Sequence, residues 1–163
     1  MKTILFFRHA KSNLPGVGGD RARTLNARGR HDASHMGRLL LEQDLVPDLI
    51  MCSTANRAKE TALIAAQHCG CERDIEFHED IYESSPEKLI NILSSTDDQH
   101  TRVMIVGHNP DLEDIIQDIT GVAIRMSTAN IAQVTMTIDS WREMNSGEHG
   151  RLARVWQPAD NPS

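Results

Sequence analysis

The sequence predicts an α/β fold, in which a mostly parallel sheet is flanked by helices and one strand is antiparallel. Three short apolar runs, at residues 4–7, 49–52 and 102–106, have the length and composition of buried parallel strands. Each run is followed by a polar loop or by a segment with helical spacing, which is the usual order of elements in α/β domains. Residues 75–78 predict a further short strand. Alternating apolar and polar residues at 131–139 predict a later strand, which is the antiparallel candidate.

The first two helices are predicted from capping residues and from the spacing of apolar side chains. Asn26 is a suitable N-cap for a first helix that ends near Asp44. Ser53 or Thr54 can cap the second helix. The buried faces expected for these two helices are Ala33, Met36, Gly37, Leu40 and Leu41 in the first, and Ala58, Thr61, Ala62, Ala65, Ala66 and Cys69 in the second.

Two further helices begin at serine or asparagine residues that precede proline. Ser85 is the expected N-cap and Pro86 the first residue of a third helix. Asn109 and Pro110 are expected to fill the same two positions in a fourth helix, which ends at Gly121. The N-terminus of each of these helices is therefore predicted from its capping residue and the proline that follows.

The length and composition predict one ordinary globular domain. The chain has 163 residues, of which 39% are hydrophobic and 25% are charged. A second alternating run ends at Trp156, so we expect a single domain over residues 1–156 and a polar tail over residues 157–163. The net charge of −6 disfavours nucleic acid and anionic membranes as partners, and no apolar run approaches the length of a membrane span.

The cysteine count and the N-terminus predict a cytoplasmic protein. Three cysteines are an odd number, and the short apolar run at the N-terminus is too short for the core of a signal peptide. Reduced thiols in the cytoplasm are therefore expected. Cys69 and Cys71 lack the two-residue spacer of a redox or metal motif, so we interpret them as cysteines of the loop that ends a helix.

His31 and His35 are a candidate metal pair, because they lie one helical turn apart. The glutamate of a metalloprotease motif is missing, and the sequence offers no evident third ligand. A solvated helix face is therefore the favoured interpretation.

Basic side chains follow each of the three apolar strands at its C-terminal end. Arg8 and His9 follow the first strand, Arg57 lies in the first turns of the helix after the second, and His108 follows the third. Parallel strands end at the same edge of a sheet, so these side chains are expected to converge in one crevice. An arginine near a helix N-terminus is unfavourable unless an anion lies between them. Each signal alone also fits a strand cap or a surface arginine, but together they predict a phosphate-like anion site.

This set of residues resembles the histidine phosphatase superfamily, whose members have the phosphoglycerate-mutase-like fold. The matching motifs occur in the family's order over roughly residues 3–156, and together they are far more specific than each one alone. The resemblance implies a three-layer sandwich with a mostly parallel central sheet. The motifs are Arg8-His9-Ala10, then Ser53-x-x-x-Arg57-Ala58-x-x-Thr61, then Val106-Gly107-His108-Asn109-Pro110.

Within the superfamily the chain resembles the small SixA-like phosphohistidine phosphatase branch. The first motif continues as Arg-His-Ala-Lys at residues 8–11, where most relatives have Arg-His-Gly, and the chain is short. Thr24 is a departure, because a proline is expected there, and it should alter the loop slightly. The two other motifs of this branch are Asp20-x-x-Arg23-Thr24-Leu25-x-x-x-Gly29 and Ile81-Tyr82-Glu83-Ser84-Ser85-Pro86.

The resemblance implies a phosphatase that needs no metal and no cofactor. His9 would be the nucleophile and would become a phosphohistidine, while its other ring nitrogen donates to a backbone carbonyl. Arg8, Arg57 and His108 would hold the phosphoryl oxygens. Arg23 is an additional candidate for phosphate binding.

The general acid and the substrate are less clearly implied. Glu83 is the candidate acid, although a surface carboxylate or an arginine partner fits it nearly as well. An imidazole leaving group also needs less protonation than an alkoxide. The segment between Arg57 and His108 leaves little chain for a lid, which suits phosphohistidine on a protein surface. The alternatives are a phosphatase of small phosphate esters (less so a mutase) and an inactive phosphate- or protein-binding module.

Overall fold

Six strands and four α-helices make up the residues that the computed structural model describes, which are 1–145, 147 and 149–158. The strands are β1 (Lys2–Arg8), β2 (Leu49–Ser53), β3 (Ile75–His78), β4 (Arg102–Gly107), β5 (Ile131–Met136) and β6 (Gly150–Trp156). The helices are α1 (Ala27–Glu42), α2 (Asn56–Cys69), α3 (Pro86–Ser94) and α4 (Asp111–Thr120). Of the polar tail expected at residues 157–163, residues 159–163 lie outside the described part.

The strands form one mixed sheet in the order β3-β2-β4-β1-β5-β6. β1, β2, β3 and β4 are parallel to one another, while β5 pairs antiparallel with both β1 and β6. The prediction of a mostly parallel sheet with one antiparallel strand is confirmed. Because β1 and β4 lie side by side in the middle of the sheet, their C-terminal ends lie at the centre of one edge.

Helices cover both faces of the sheet, which explains why β1 is apolar at consecutive positions. Leu5 and Phe7 pack with α1 and α2 on one face. Ile4 and Phe6 pack with α3 and α4 on the other. All four side chains are fully buried. The expected three-layer arrangement is therefore confirmed, and no helix of the described residues is long and apolar enough to cross a membrane.

Helices α1 and α2 lie unusually close together because small residues line their contact. A Cβ atom on Gly37 would lie 2.5 Å from the backbone oxygen of Ala65, so no larger residue fits there. The predicted buried stripe of α2 is confirmed in full. In α1 the prediction for Leu41 is wrong: its side chain is 57% exposed, and Leu39 is buried in its place. Both residues belong to a run of three leucines at 39–41, in which composition alone does not mark the inward-facing positions.

Three predicted helix ends are confirmed. The side chain of Asn26 accepts a hydrogen bond from the backbone N–H of Gly29 at the start of α1. The side chain of Ser85 accepts one from the N–H of Lys88 at the start of α3. Gly121 ends α4 in the left-handed conformation that glycine tolerates best.

Two predicted N-caps are wrong. The N-cap of α2 is Ala55, and neither Ser53 nor Thr54 fills that position. The N-cap of α4 is Pro110, so Asn109 lies one residue further out than expected. The side chains of Ser53 and Asn109 make other hydrogen bonds at the same edge of the sheet, and these contacts determine where the two helices begin.

The candidate metal and thiol pairs are more buried than their sequence positions indicate. His31 is exposed, but His35 is only 7% exposed, so the solvated-face interpretation is wrong for the second histidine. Cys69 and Cys71 are buried, and their sulfur atoms lie 2.8 Å apart as free thiols. Within the described residues, neither pair belongs to a group of three or more side chains that could hold a metal ion.

Candidate active site

The strand register brings the predicted site residues to one edge of the sheet. Arg8 at the end of β1 pairs with Gly107 at the end of β4, and Cys52 of β2 pairs with Val106 of β4. Three neighbouring parallel strands therefore end at the same level. The residues that directly follow them, together with the start of α2, surround one crevice, as expected for an open α/β sheet.

This crevice is a cavity of about 380 Å³ with a strongly cationic lining. Its walls carry three guanidiniums and one ammonium group, and no carboxylate is among the lining side chains. Such a lining favours a compact anion with several oxygens. The lining residues are Arg8, His9, Lys11, Ser12, Arg23, Arg57, His108, Asn109 and Thr128.

His9 is held by a chain of hydrogen bonds that continues into α2. Its Nδ1 lies 2.8 Å from the carbonyl oxygen of Ala10, which can only accept, so Nδ1 carries the proton and Nε2 has a free lone pair. The N–H of Ala10 donates to Oγ1 of Thr61, and this hydroxyl donates to the carbonyl oxygen of Arg57. The backbone contact expected for His9 is therefore present.

His108 lies beside His9, with 5.2 Å between the ring centroids. Its Nε2 is 2.8 Å from Oγ of Ser53, which also accepts a hydrogen bond from the N–H of Ala55. Its Nδ1 is buried and has no hydrogen-bond partner among the described residues. One ring nitrogen is thus used to orient the imidazole, while the other has an unused hydrogen-bonding capacity.

Arg8 is anchored to the loop that precedes β5. Its Nη1 donates to the carbonyl oxygen of Met126 at 2.8 Å. The same carbonyl accepts a hydrogen bond from the side-chain amide of Asn109, which also donates to Glu113. The side-chain amide of Asn109, which lines the cavity, is therefore engaged by Met126 and Glu113 and does not cap α4.

Arg57 and Arg23 are both bound to Asp20, a residue of the short turn Asp20–Ala22. Arg57 donates to the carbonyl oxygen of Asp20 at 2.8 Å and to its carboxylate at 3.1 Å. Arg23 donates to the same carboxylate at 3.3 Å and to Oγ of Ser12 at 2.9 Å. The guanidinium of Arg57 is nearly buried, with 8% of its side chain exposed.

Glu83 does not line the cationic cavity. It lines an adjoining cavity of about 310 Å³, which shares Arg57, His108 and Asn109 with the first. Its backbone lies in the left-handed region, with φ of 49°. The structure therefore brings together Arg8, His9, Arg23, Arg57 and His108 and leaves Glu83 to one side of them.

Sequence reasoning missed the functional contacts of Asp20, Tyr82 and Asn109. The hydroxyl of Tyr82 donates to the carboxylate of Asp20 at 2.6 Å. Its ring meets the ring of His108 edge-on, with centroids 5.7 Å apart. Both residues lie in motifs that the sequence offers, Asp20 three positions before Arg23 and Tyr82 next to Glu83. The contacts between them depend on tertiary structure and leave no local signal.

Both histidines are neutral at pH 7. Burial of the ring lowers the pKa of His9 to about 4, and the nearby cations Arg57 and Arg8 add to this effect against the hydrogen bond to Ala10. Burial also lowers the pKa of His108 to about 3, and the charges of His9 and Arg57 act in the same direction. A neutral His9 has the lone pair that a nucleophile requires.

The lowered pKa of His9 predicts an unusual titration. The ring of the free protein should remain neutral down to about pH 4, well below the ordinary value of 6.5 for histidine. Nuclear magnetic resonance of the ring C–H protons measures this midpoint directly, and His9→Gln identifies the signal. A His9 midpoint near the ordinary value would contradict the burial of this ring beside the cations. Because the titration uses no substrate, ionisation of a substrate phosphate does not affect it.

The histidine phosphatase superfamily (branch 1) has a family model that matches residues 4–100, more than half of the chain. An uncharacterized protein of Mycobacterium tuberculosis is 31% identical over 151 residues, which cover 86% of this chain and 92% of that protein. An uncharacterized chloroplastic protein of Arabidopsis thaliana is 31% identical over 153 residues, which cover 87% of this chain and 70% of that protein.

Two solved structures share the fold over nearly the whole chain. The SixA structure from Agrobacterium tumefaciens has a TM-score of 0.82 at 24% identity, and it covers 96% of this chain and 98% of that one. The protein histidine phosphatase SixA complexed with tungstate has a TM-score of 0.83 at 17% identity, and it covers 97% and 98%. With the family match and the cationic cavity at the strand ends, the chain belongs to the histidine phosphatase superfamily.

Proposed function

We propose that this protein is a phosphatase that uses His9 as its nucleophile and acts on phosphohistidine carried by a protein. The observation that carries the proposal is the buried, neutral His9 in a cavity lined by three guanidiniums. A phosphoryl group brings the negative charge that such a lining lacks. Family membership supports phosphatase chemistry at this place.

The first chemical step transfers the phosphoryl group to His9. The lone pair of Nε2 attacks phosphorus while the bond from phosphorus to the leaving group breaks, and the leaving group departs with that electron pair. Arg8, Arg57 and Nδ1 of His108 bind the oxygens, on which the charge lies in the transition state. The proton stays on Nδ1 of His9, where its hydrogen bond to the carbonyl of Ala10 stabilises the phosphorylated ring.

The second step hydrolyses the phosphohistidine. Water attacks phosphorus in line with the bond to Nε2, that bond breaks with its electrons returning to the ring, and inorganic phosphate is released. His9 is then neutral again, as in the free protein. The same guanidiniums act in both steps because both transition states place charge on the same oxygens.

Glu83 is the proposed proton donor for leaving groups that need one. It lies in the adjoining cavity, which also contains Asp20 and Asp111, and it shares walls with the phosphoryl site. An imidazole leaving group is weakly basic and departs with little protonation. The rate of phosphoryl transfer should therefore depend little on Glu83 when the substrate is phosphohistidine, and more when it is an alkyl phosphate.

The shape of the site favours phosphohistidine on a protein surface. The chain between β3 and α3 is a single short turn at Glu79–Ile81 and a short connection to Ser85, so no inserted domain covers the cavity in the described residues. Leu14 and Val17, on the loop after β1, have fully or nearly fully exposed side chains. The similar structure of the protein histidine phosphatase SixA complexed with tungstate supports the same substrate class here.

A phosphatase of small phosphate esters is the second candidate. It is supported by the similar structure of mycobacterial glucosyl-3-phosphoglycerate phosphatase, which has a TM-score of 0.73. A test compares kcat/KM for a phosphohistidine-carrying protein, for p-nitrophenyl phosphate and for 3-phosphoglycerate. We expect the phosphohistidine protein to have the highest kcat/KM, by about tenfold or more. Each factor of ten requires only about 1.4 kcal/mol of difference in activation free energy. A preference for a small ester would overturn the substrate class but leave the His9 mechanism in place.

The proposal also includes a single domain over residues 1–156 and a reducing, cytoplasmic location. All six strands join one sheet, which supports one domain. The three cysteines Cys52, Cys69 and Cys71 are free thiols, which supports a reducing compartment.

A further inference from the structure

One carboxylate joins two arginines of the proposed phosphoryl site and the tyrosine of the adjoining cavity. Oδ2 of Asp20 accepts hydrogen bonds from Nη2 of Arg57 at 3.1 Å and from the hydroxyl of Tyr82 at 2.6 Å. Its Oδ1 lies 3.3 Å from Nη1 of Arg23. Its backbone carbonyl accepts the second bond from Arg57 at 2.8 Å. Asp20 therefore connects the loop after β1, the first turn of α2 and the segment before α3.

Asp20 does not line the proposed phosphoryl site. The cationic cavity is lined by Arg57 and Arg23 but not by Asp20, whereas the adjoining cavity is lined by Asp20 and Tyr82. Arg57 lines both cavities, whereas the carboxylate that it contacts belongs to the adjoining one. This arrangement leaves the phosphoryl site free and favours a supporting role for Asp20 over competition with phosphate.

The position of Arg57 depends strongly on this contact. Both hydrogen bonds of its guanidinium within the described residues go to Asp20, and its Nε is buried without a partner. A nearly buried guanidinium loses much of its choice of rotamers when two of its nitrogens bind one residue. Arg8, by contrast, is anchored to a backbone carbonyl that no side-chain substitution removes.

The loop that carries Asp20 is held by few contacts besides those of Asp20, Arg21 and Arg23. Residues 14–20 are all exposed, and Gly18 and Gly19 have positive φ angles of 98° and 76°. Few packed side chains and permissive glycines make a segment easy to displace. The contacts of Asp20 are therefore the main link between this loop and the site on α2.

We propose that Asp20 is a positioning residue that binds Arg57, Arg23 and Tyr82 together, so that both guanidiniums are already oriented when the phosphoryl group binds. This role rests on the proposed function, because it assumes that the phosphoryl group lies in the cationic cavity. Asp20 contacts neither the substrate nor the nucleophile. It acts through the two arginines, and its negative charge offsets the repulsion between them.

The first test measures binding of inorganic phosphate to the full chain by calorimetry, which requires no turnover. Asp20→Asn retains the size of the side chain but removes its charge, and we expect phosphate to bind about tenfold more weakly, the effect of losing charge-assisted hydrogen bonds. Asp20→Glu should recover part of the loss because it restores the charge. Asp44→Asn is the matched control, since Asp44 is exposed at the end of α1, and it should bind phosphate like the wild type.

The outcomes of this test separate the role of Asp20 from the proposed function. Equal or tighter binding of phosphate to Asp20→Asn would overturn the positioning role, and tighter binding would make Asp20 a competitor of phosphate. If Asp44→Asn also binds phosphate more weakly than the wild type, the loss in Asp20→Asn is an effect of net charge. That result would also overturn the positioning role. Failure of the wild-type protein to bind phosphate at all would overturn the proposed function together with the role of Asp20.

Tyr82 provides a second readout because it is the only tyrosine in the chain. Its hydrogen bond to the Asp20 carboxylate raises the pKa of its phenol above the ordinary value of 10, and burial and the charge of Asp20 act in the same direction. The other charged or ring groups that face the phenol are Glu83 and Arg57, the guanidinium of Arg21 above its ring, and the edge of His108.

An ultraviolet titration of this single phenol reports whether Asp20 stays in place. The midpoint should fall in Asp20→Asn and should be unchanged in Asp44→Asn. In the wild type, saturation with inorganic phosphate should leave the midpoint where it is, because Asp20 keeps its contact with Tyr82. A phosphate-induced fall in the midpoint would show that the ligand displaces Asp20, and it would overturn the positioning role.

Discussion

Replacing His9 by alanine should lower kcat by about 10³-fold or more, because the covalent route to phosphate release is lost with the nucleophile. His9 is only 8% exposed, but its ring contacts the cavity and is not part of the apolar core clusters. Circular dichroism should therefore show the same fold in the variant. Release of inorganic phosphate from p-nitrophenyl phosphate and from a phosphohistidine protein measures the loss.

The matched control for this substitution is His68→Ala. His68 is an exposed histidine near the end of α2, far along that helix from Arg57. Its loss should leave kcat unchanged. If His9→Ala keeps the activity of the wild type, His9 is not the nucleophile and the mechanism is wrong. If both the wild type and His9→Ala are inactive on the two substrates, the inactive-module alternative is favoured.

Replacing Arg57 by glutamine should lower kcat/KM by about 10²- to 10³-fold, the usual effect of removing one strong donor to a charged transition state. Arg57→Lys keeps the positive charge but lacks the planar fork that binds two oxygens at once, so its loss should be intermediate. The measurement is steady-state kinetics with the phosphohistidine protein. Unlike Asp20→Asn, which acts through the orientation of the guanidinium, Arg57→Gln removes the donor itself and should cause the larger loss.

Arg28→Gln is the matched control for Arg57. Arg28 also binds a carboxylate, Asp32 of the same helix, but its side chain is 70% exposed and lies outside both cavities. Its substitution should leave kcat/KM unchanged. A small effect of Arg57→Gln, equal to that of Arg28→Gln, would contradict the assignment of Arg57 to the phosphoryl site.

The fold and the cationic cavity could be predicted because they depend on local patterns. Apolar runs without alternation indicate strands buried on both faces, and β1 has this pattern since helices cover both sides of it. Residues that follow parallel strands meet at one edge whatever the details of packing. The convergence of Arg8, His9, Arg57 and His108 therefore needed only the order of the strands and their direction.

The contacts that orient the site could not be predicted, because they join distant segments through side chains. Asp20 and Tyr82 are 62 positions apart in the sequence, and no periodicity links them. Ser53 was expected to cap a helix, as its residue type favours, but its hydroxyl contacts His108 instead. Residue type therefore indicates which side chains can make a hydrogen bond, whereas tertiary packing determines which partner each of them contacts.

The covalent intermediate provides the most direct test of the central claim. The wild-type protein is mixed with excess substrate, quenched in alkaline denaturant, in which phosphohistidine survives, and digested for mass spectrometry. We predict that one phosphoryl group is found on the peptide that contains His9 and that this label is absent from His9→Ala. A phosphoryl group on His108 or on another residue would contradict the mechanism, as would turnover by the wild type that leaves no covalent label under conditions where substrate is saturating.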